Sequence, residues 1–339
     1  MQLKHLSMDE LYDKEEETFQ RIEEGDNSGY YPLITVYEEM LRRFRRERDT
    51  ESMAYVKEKL VDYLVRYGSY MKMKKEKNNN DAFSSLEKAL ELNSRLPIAH
   101  YRLGFLQYRK HEYLNASRCF HQAITLQERS QKSYMLDERQ LYYAHLYAIN
   151  SELHLVYETH EKMGRLNMKD RYDPLDSGDM SGLYERLLDS DAYLANHAFV
   201  KRTNEEVSYC SKEACEALID NPDSNTFYLY FGDRMVEALF ADHSVDLSHS
   251  DADILRYLVL KSSDKPLDRI ELSRLQNKIN PVANNTLSQV IRRLRARVDP
   301  LGFSNHIVHT DQGYSIDPLP GYIIMYRHDD GVALDYLAE

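Results

Sequence analysis

The sequence predicts a mainly α chain: an α-solenoid, a stacked array of helices, followed by a small α+β domain. Three observations carry that expectation. Only 12 Gly and 9 Pro occur in 339 residues, so residues that break helices are scarce. Apolar residues recur at i, i+3 and i+4 through much of the first two thirds of the chain, the spacing of helices with one buried stripe. Past residue 225 short alternating runs appear, which is the period of strands.

Size and charge set outer limits. A chain of 40.0 kDa exceeds one small core and suits two or three domains. With 42% hydrophobic and 29% charged residues it fits a folded globular protein. A net charge of −12 excludes a protein that coats nucleic acid through general basicity, but leaves room for a local basic reader. No apolar run approaches the roughly 20 residues that span a bilayer, so no membrane partner is expected. The start, Met1-Gln2-Leu3-Lys4-His5, lacks the apolar segment of a secretory signal, and a cytoplasmic location is expected. Cys119, Cys210 and Cys215 have no metal-ligand spacing and read as thiols in a reducing compartment.

Along the chain, residues 1–28 are polar and acidic and read as an exposed first helix. Two amphipathic helices follow, one carrying Leu33, Val36, Tyr37, Met40, Leu41 and Phe44, the other Met53, Val56, Leu60, Leu64 and Val65. Lys72 to Asn80 reads as a loop. Then comes a repeat. Ala82, Leu86 and Ala89 share one helix face, and Ala116, Phe120 and Ala123 share another, each 34 positions after its counterpart. The segment PIAHYRLGFLQYRKHEYLNASRCFHQAITL resembles the tetratricopeptide repeat family. Leu103-Gly104 stands at the family's small-residue step, and Tyr113, Ala116, Phe120 and Ala123 at its later positions. His100 replaces the usual Trp and His111 the usual turn Gly, and a further 34-residue step to Asn150, His154 and Tyr157 fails the pattern. The resemblance is specific for 81–127 and architectural for the rest of 29–220. It implies a helical array that holds a protein or peptide partner. Tyrosines such as Tyr142, Tyr143, Tyr147, Tyr157, Tyr184 and Tyr193 suit either such a contact or packing between helices.

Asn167–Gly182 reads as a loop, Leu183–Ile219 as a last helical block, and Asn221-Pro222-Asp223-Ser224-Asn225 as a domain boundary. The expected domains are therefore 1–224, 225–317 and a tail over 318–339, in which Asp330-Gly331 suggests a hairpin turn. In the second domain Phe227–Leu247 reads as small antiparallel strands broken at Gly232-Asp233. Helices are expected at Asp251–Leu260, Arg269–Gln276 and Asn284–Val298, and a hairpin at Ile307–Ile316.

That order resembles the OmpR/PhoB-type winged-helix DNA-binding domain. LSHSDADILRYLVL stands at the family's first helix and PLDRIELSRLQ at its second. NNTLSQVIRRLRARVD stands at the third, the recognition helix, and IVHTDQGYSI at the wing. In the third helix Thr286, Val290, Leu294 and Val298, with Leu287 and Ile291, form the buried side. The other side collects polar and basic residues, and a helix so equipped fits the major groove. By position in the family, Ser288, Gln289 and Arg293 are the candidates for reading bases. Asn285, Thr286, Arg292 and Arg295 are the candidates for holding phosphates. Thr310 and Gln312 are the wing's candidates, although Asp311 between them would be repelled by phosphate and family wings usually carry Arg there. Between residues 276 and 310, Lys278, Arg292, Arg293, Arg295 and Arg297 face Asp299 alone, so the basic charge is local.

No constellation for catalysis appears. No Gly-x-Ser-x-Gly, phosphate-cradling Gly loop, dinucleotide fingerprint or His-x-x-x-His metal spacing is present, so no enzyme activity, cofactor or metal is expected. The expected function is a transcription regulator that binds duplex DNA through the winged helix, controlled by a partner on the array, and paired half-sites imply a homodimer. The alternative is an adaptor that binds only protein, its winged helix no longer holding DNA.

Overall fold

In the computed structural model, which describes residues 3–23, 27–72, 79–166, 181–232, 236–275 and 282–327, the chain is mainly helical with a smaller sheet-containing C-terminal region. It falls into two compact units. One holds the residues up to Glu15 together with Tyr30–Leu194; the other holds Glu16–Gly29 together with the residues from Ala195 onward. No helix among the described residues is long and apolar enough to cross a membrane.

The first unit contains α2 (Tyr30–Glu47), α3 (Thr50–Lys72), α4 (Asn79–Leu92), α5 (Pro97–Arg109), α6 (Tyr113–Thr125), α7 (Glu138–Gly164) and most of α8 (Ser181–Asn196). Consecutive helices from α2 to α7 pack on one another, and α3 also meets α5, as α5 meets α7. The repeated positions do what their spacing predicts. Ala82, Leu86, Ala89, Ala116, Phe120 and Ala123 are all fully buried. Close helix approach depends on glycine at both repeats. A methyl group at Gly104 would come within 3.0 Å of the Phe120 ring, and one at Gly68 within 2.8 Å of Leu86. Leu86 and Phe120 are counterparts in the 34-residue period.

The failed third step also has a physical account. Asn150 is fully buried, where the pattern asks for a small apolar residue. Its amide donates to Asp191 Oδ1 at 2.9 Å and its carbonyl accepts from Ser190 Oγ at 2.8 Å. Asp191 also accepts from the Tyr108 hydroxyl and pairs with His154 Nε2 at 3.0 Å. The His154 ring stacks on Tyr113 at 3.9 Å, and Tyr157 stacks on Tyr184 at 4.3 Å. A polar network thus joins α5, α7 and α8 where the earlier helices use alanine. Another side of α7 is unusual: Tyr142, Ile149, Val156 and Met163 are 56%, 53%, 46% and 48% exposed, with Leu146, Leu153 and His160 half-buried among them.

The second unit differs from expectation at both ends. The helical block expected over Leu183–Ile219 is α8, then β1 (Phe199–Thr203), β2 (Val207–Cys210) and α9 (Lys212–Asp220). The residues decide this: Val200, Thr203, Val207 and Tyr209 favour extended backbone, and Thr203 Oγ1 accepts from the Glu205 and Glu206 N–H groups to close the turn. Position 225 thus falls inside the C-terminal part of the unit, which runs from Ala195 onward. Within the stretch expected as a tail over 318–339, β8 (Gly321–Arg327) lies in a six-stranded sheet with β3 (Thr226–Phe231), β4 (Val236–Phe240) and β5 (His243–Leu247), in the order β2-β1-β8-β3-β4-β5. β8 runs antiparallel to β1 and parallel to β3; all other neighbours are antiparallel. The turn expected at Asp330-Gly331, Asp233 of the expected strand break, Lys278, and most of the loops expected over Lys72–Asn80 and Asn167–Gly182 lie outside the described residues.

Helices cover both faces of this sheet. Cys215 of α9 packs with Phe199, Tyr228, Tyr230, Leu239 and Met325 on one face. On the other, Phe227, Leu229, Phe231 and Ile324 share a core with α10 (His249–Lys261), α11 (Arg269–Leu275) and α12 (Asn284–Val298). A strand covered on both faces needs apolar residues at every position, which explains the unbroken run Phe227-Tyr228-Leu229-Tyr230-Phe231. A cation is held in this core: Arg256 is fully buried, pairs with Asp253 at 2.7 Å and lies over the rings of Phe231 and Tyr326.

Candidate nucleic-acid interface

The interface begins with how α12 is held. Leu287, Val290, Ile291, Leu294 and Val298 are buried in the common core with Leu255, Leu258, Leu272 and Leu275 of α10 and α11. Thr286, expected on the buried side, is half-buried. The stripe leaves the other side of the helix open, and there Asn285, Ser288, Gln289, Arg292 and Arg293 are all exposed. α12 contains no acidic residue. Among the described residues Arg292 and Arg293 make no ion pair, so their guanidiniums face solvent. The residue preceding the helix, Ala283, supplies no side-chain cap, and its carbonyl accepts from the Thr286 N–H at 3.0 Å. Two side-chain guanidiniums, two amides, a hydroxyl and a positive helix terminus thus share one side of a rod.

Two other arginines of α12 are engaged within the unit. Arg295, a phosphate candidate by position, donates to the Ile307 carbonyl at 2.6 Å and lies over the Tyr314 ring. Arg297 pairs with Asp251 at the start of α10. They tie α12 to its surroundings and narrow its free basic face to Arg292 and Arg293.

The hairpin expected at Ile307–Ile316 is present as β6 (Ile307–Thr310) and β7 (Gly313–Ile316), joined by Asp311-Gln312. Leu267, in the connection before α11, exchanges two backbone hydrogen bonds with Tyr314, at 2.7 and 3.0 Å. Gly313 is needed there: its φ is +148°, and a methyl group would lie 2.5 Å from the Leu267 carbonyl oxygen. Ser262, buried at the end of α10, accepts from the Ile316 N–H at 3.1 Å and from Ser315 Oγ. The hairpin is therefore anchored at three points. Of its candidates, Thr310 spends its hydroxyl on the Gly313 carbonyl at 3.1 Å, while Gln312 is exposed beside an exposed Asp311.

Among the described residues no group of three His, Cys, Asp or Glu is placed to hold a metal ion. Cys119 is held as a thiol, burial raising its pKa to about 11 with help from Glu87. Compared with family models, curated proteins and solved structures, the chain matches none.

Proposed function

We propose that this chain is a transcription regulator whose C-terminal unit binds duplex DNA as an OmpR/PhoB-type winged helix, with α12 in the major groove. The observation that carries the reading is the open side of α12, where Arg292 and Arg293 stand exposed, with no ion pair among the described residues, beside Asn285, Ser288 and Gln289 with no acid on the helix. Arginine can contact guanine O6 and N7 in a bidentate manner, and Gln or Asn can contact adenine. The uncapped first turn of α12 offers N–H groups to a backbone phosphate. The helical unit is read as a tetratricopeptide-like array for a protein or peptide partner, on the strength of the 34-residue period and the Gly68 and Gly104 approaches.

A homodimer belongs to the same reading, with α7 as its seam. Tyr142, Leu146, Ile149, Leu153, Val156, His160 and Met163 alternate four and three apart, the repeat by which two helices pair side by side. The series is self-complementary. A second copy crossing antiparallel about Leu153 sets Tyr142 against Met163, Leu146 against His160 and Ile149 against Val156.

The rival reading, an adaptor binding only protein, is favoured by the exposed Asp311 at the hairpin tip. A salt titration of binding to mixed duplex DNA separates the two. Binding is expected at low salt, with a shallow slope of log K on log salt of about −2 per chain from the two free arginines. On a selected site Arg293→Ala is expected to cost roughly 1–3 kcal/mol. No binding at low salt favours the adaptor.

A further inference from the structure

The sheet's outer strand ends on a feature that DNA binding does not use. Cys210 is the last residue of β2, and Cys215 is the fourth residue of α9. Ser211 between them caps the helix, its Oγ accepting from the Ala214 N–H at 3.2 Å while its carbonyl accepts from the Cys215 N–H at 3.1 Å. This tight strand-to-helix corner brings the two sulfurs to 2.8 Å. Both are free thiols. A disulfide needs about 2.05 Å, so the bond requires the sulfurs to move by less than about 1 Å.

The two differ in setting. Cys215 is fully buried against Phe199, Tyr228 and Met325, whereas Cys210 is half-exposed at the sheet's edge. The Cys215 thiol beside Cys210 and the Lys201 ammonium on β1 both hold the Cys210 thiol below its usual range. Cys215 is pushed up by its contact with Cys210 and by burial. An accessible sulfur inclined to ionise thus touches a sheltered one that keeps its proton.

From this geometry we propose that Cys210 and Cys215 are a peroxide-sensitive dithiol, closing reversibly to an intramolecular disulfide. The Cys210 thiolate attacks one oxygen of a hydroperoxide and breaks the O–O bond. Cys210 becomes a sulfenic acid, and the other oxygen leaves as hydroxide, which takes up a proton as water. Cys215 then attacks the sulfenic sulfur. The S–S bond forms, and the sulfenic oxygen departs with a hydrogen and the Cys215 proton as a second water. Two thiols and one hydrogen peroxide give one disulfide and two waters; a dithiol reductant reverses the change. The closed ring pins the end of β2 to α9.

The experiment uses the full chain and hydrogen peroxide itself. After brief exposure at near-stoichiometric peroxide, free thiols are alkylated and the digest is read by mass spectrometry. Free thiols are expected to fall from three per chain to one, with the peptides containing Cys210 and Cys215 cross-linked and Cys119 still alkylated. Cys119 serves as an internal reference, and the pair is expected to react roughly tenfold or more faster. Dithiothreitol is expected to restore all three thiols. In Cys215→Ser the sulfenic acid on Cys210 is expected to persist and be trapped by dimedone. Retention of both thiols under peroxide, or a disulfide involving Cys119, overturns the proposal. The wild-type measurement decides this even where the variant does not fold.

Discussion

At Gly313 one hydrogen atom separates a tolerated hairpin from a collision. Its φ of +148° disfavours any residue with a Cβ, and the Leu267 carbonyl lies where that carbon would go. Gly313→Ala is expected to destabilise the chain by about 2 kcal/mol or more, combining backbone strain with loss of the Leu267–Tyr314 bonds. Urea unfolding of the full chain measures this, and a loss below about 0.5 kcal/mol would falsify the account of the turn. At this scale the candidate interface was half legible. The 3.6-residue period by itself separates Leu287, Val290, Ile291 and Leu294 from Asn285, Ser288, Gln289, Arg292 and Arg293. It says nothing of Arg295 and Arg297, because their partners, the Ile307 carbonyl and Asp251, come from elsewhere in the chain.

Elements resolve along the same line between local and distant causes. The helices α2 to α6, α10 to α12 and the β6–β7 hairpin could be read directly, since periodicity and tight turns act over a few residues. β1 and β2 escaped because two short strands between helices leave little room for alternation, and only pairing with β8 gives β1 a second neighbour. β8 was legible as an apolar arm of the hairpin expected about Asp330-Gly331, but its place in the sheet was not, because its partners lie far back in the sequence. Long α7 carries the element-scale prediction. If its heptad stripe joins two copies, Ile149→Glu with Val156→Glu puts like charges against each other at the seam and is expected to turn a dimer into a folded monomer. Light scattering with circular dichroism reads both outcomes. A wild-type chain that is monomeric at all workable concentrations removes the seam.

For the whole molecule, acidity is the informative variable. Burial lowers the pKa of His100 in the helical unit and of His249 in the C-terminal unit, where Asp253 opposes the shift and Arg256 adds to it. Both prefer to be neutral when folded. Their contribution is complete above the unfolded value of 6.5 and is lost as the pH falls below it, because the unfolded chain then binds protons that the folded one resists. Acidification also relieves repulsion in a chain of net charge −12, so the difference between variants is the clean reading. Between pH 7.5 and 5.5 the urea midpoint of His100→Gln is expected to fall less than that of the wild type. Parallel profiles would show that His100 does not titrate with unfolding.

The position of β8 has a consequence for how the protein is made. Its neighbours β1 and β3 are synthesised well over a hundred and almost a hundred residues earlier, yet the sheet has a gap between them until β8 arrives. On the ribosome the helical unit, built from contacts between successive segments, can condense as it emerges. The sheet must wait for β8, its unfilled slot open to rescue by a chaperone or to capture by another chain's strand. Stalled or truncated products are therefore the species in which this protein is most exposed to aggregation.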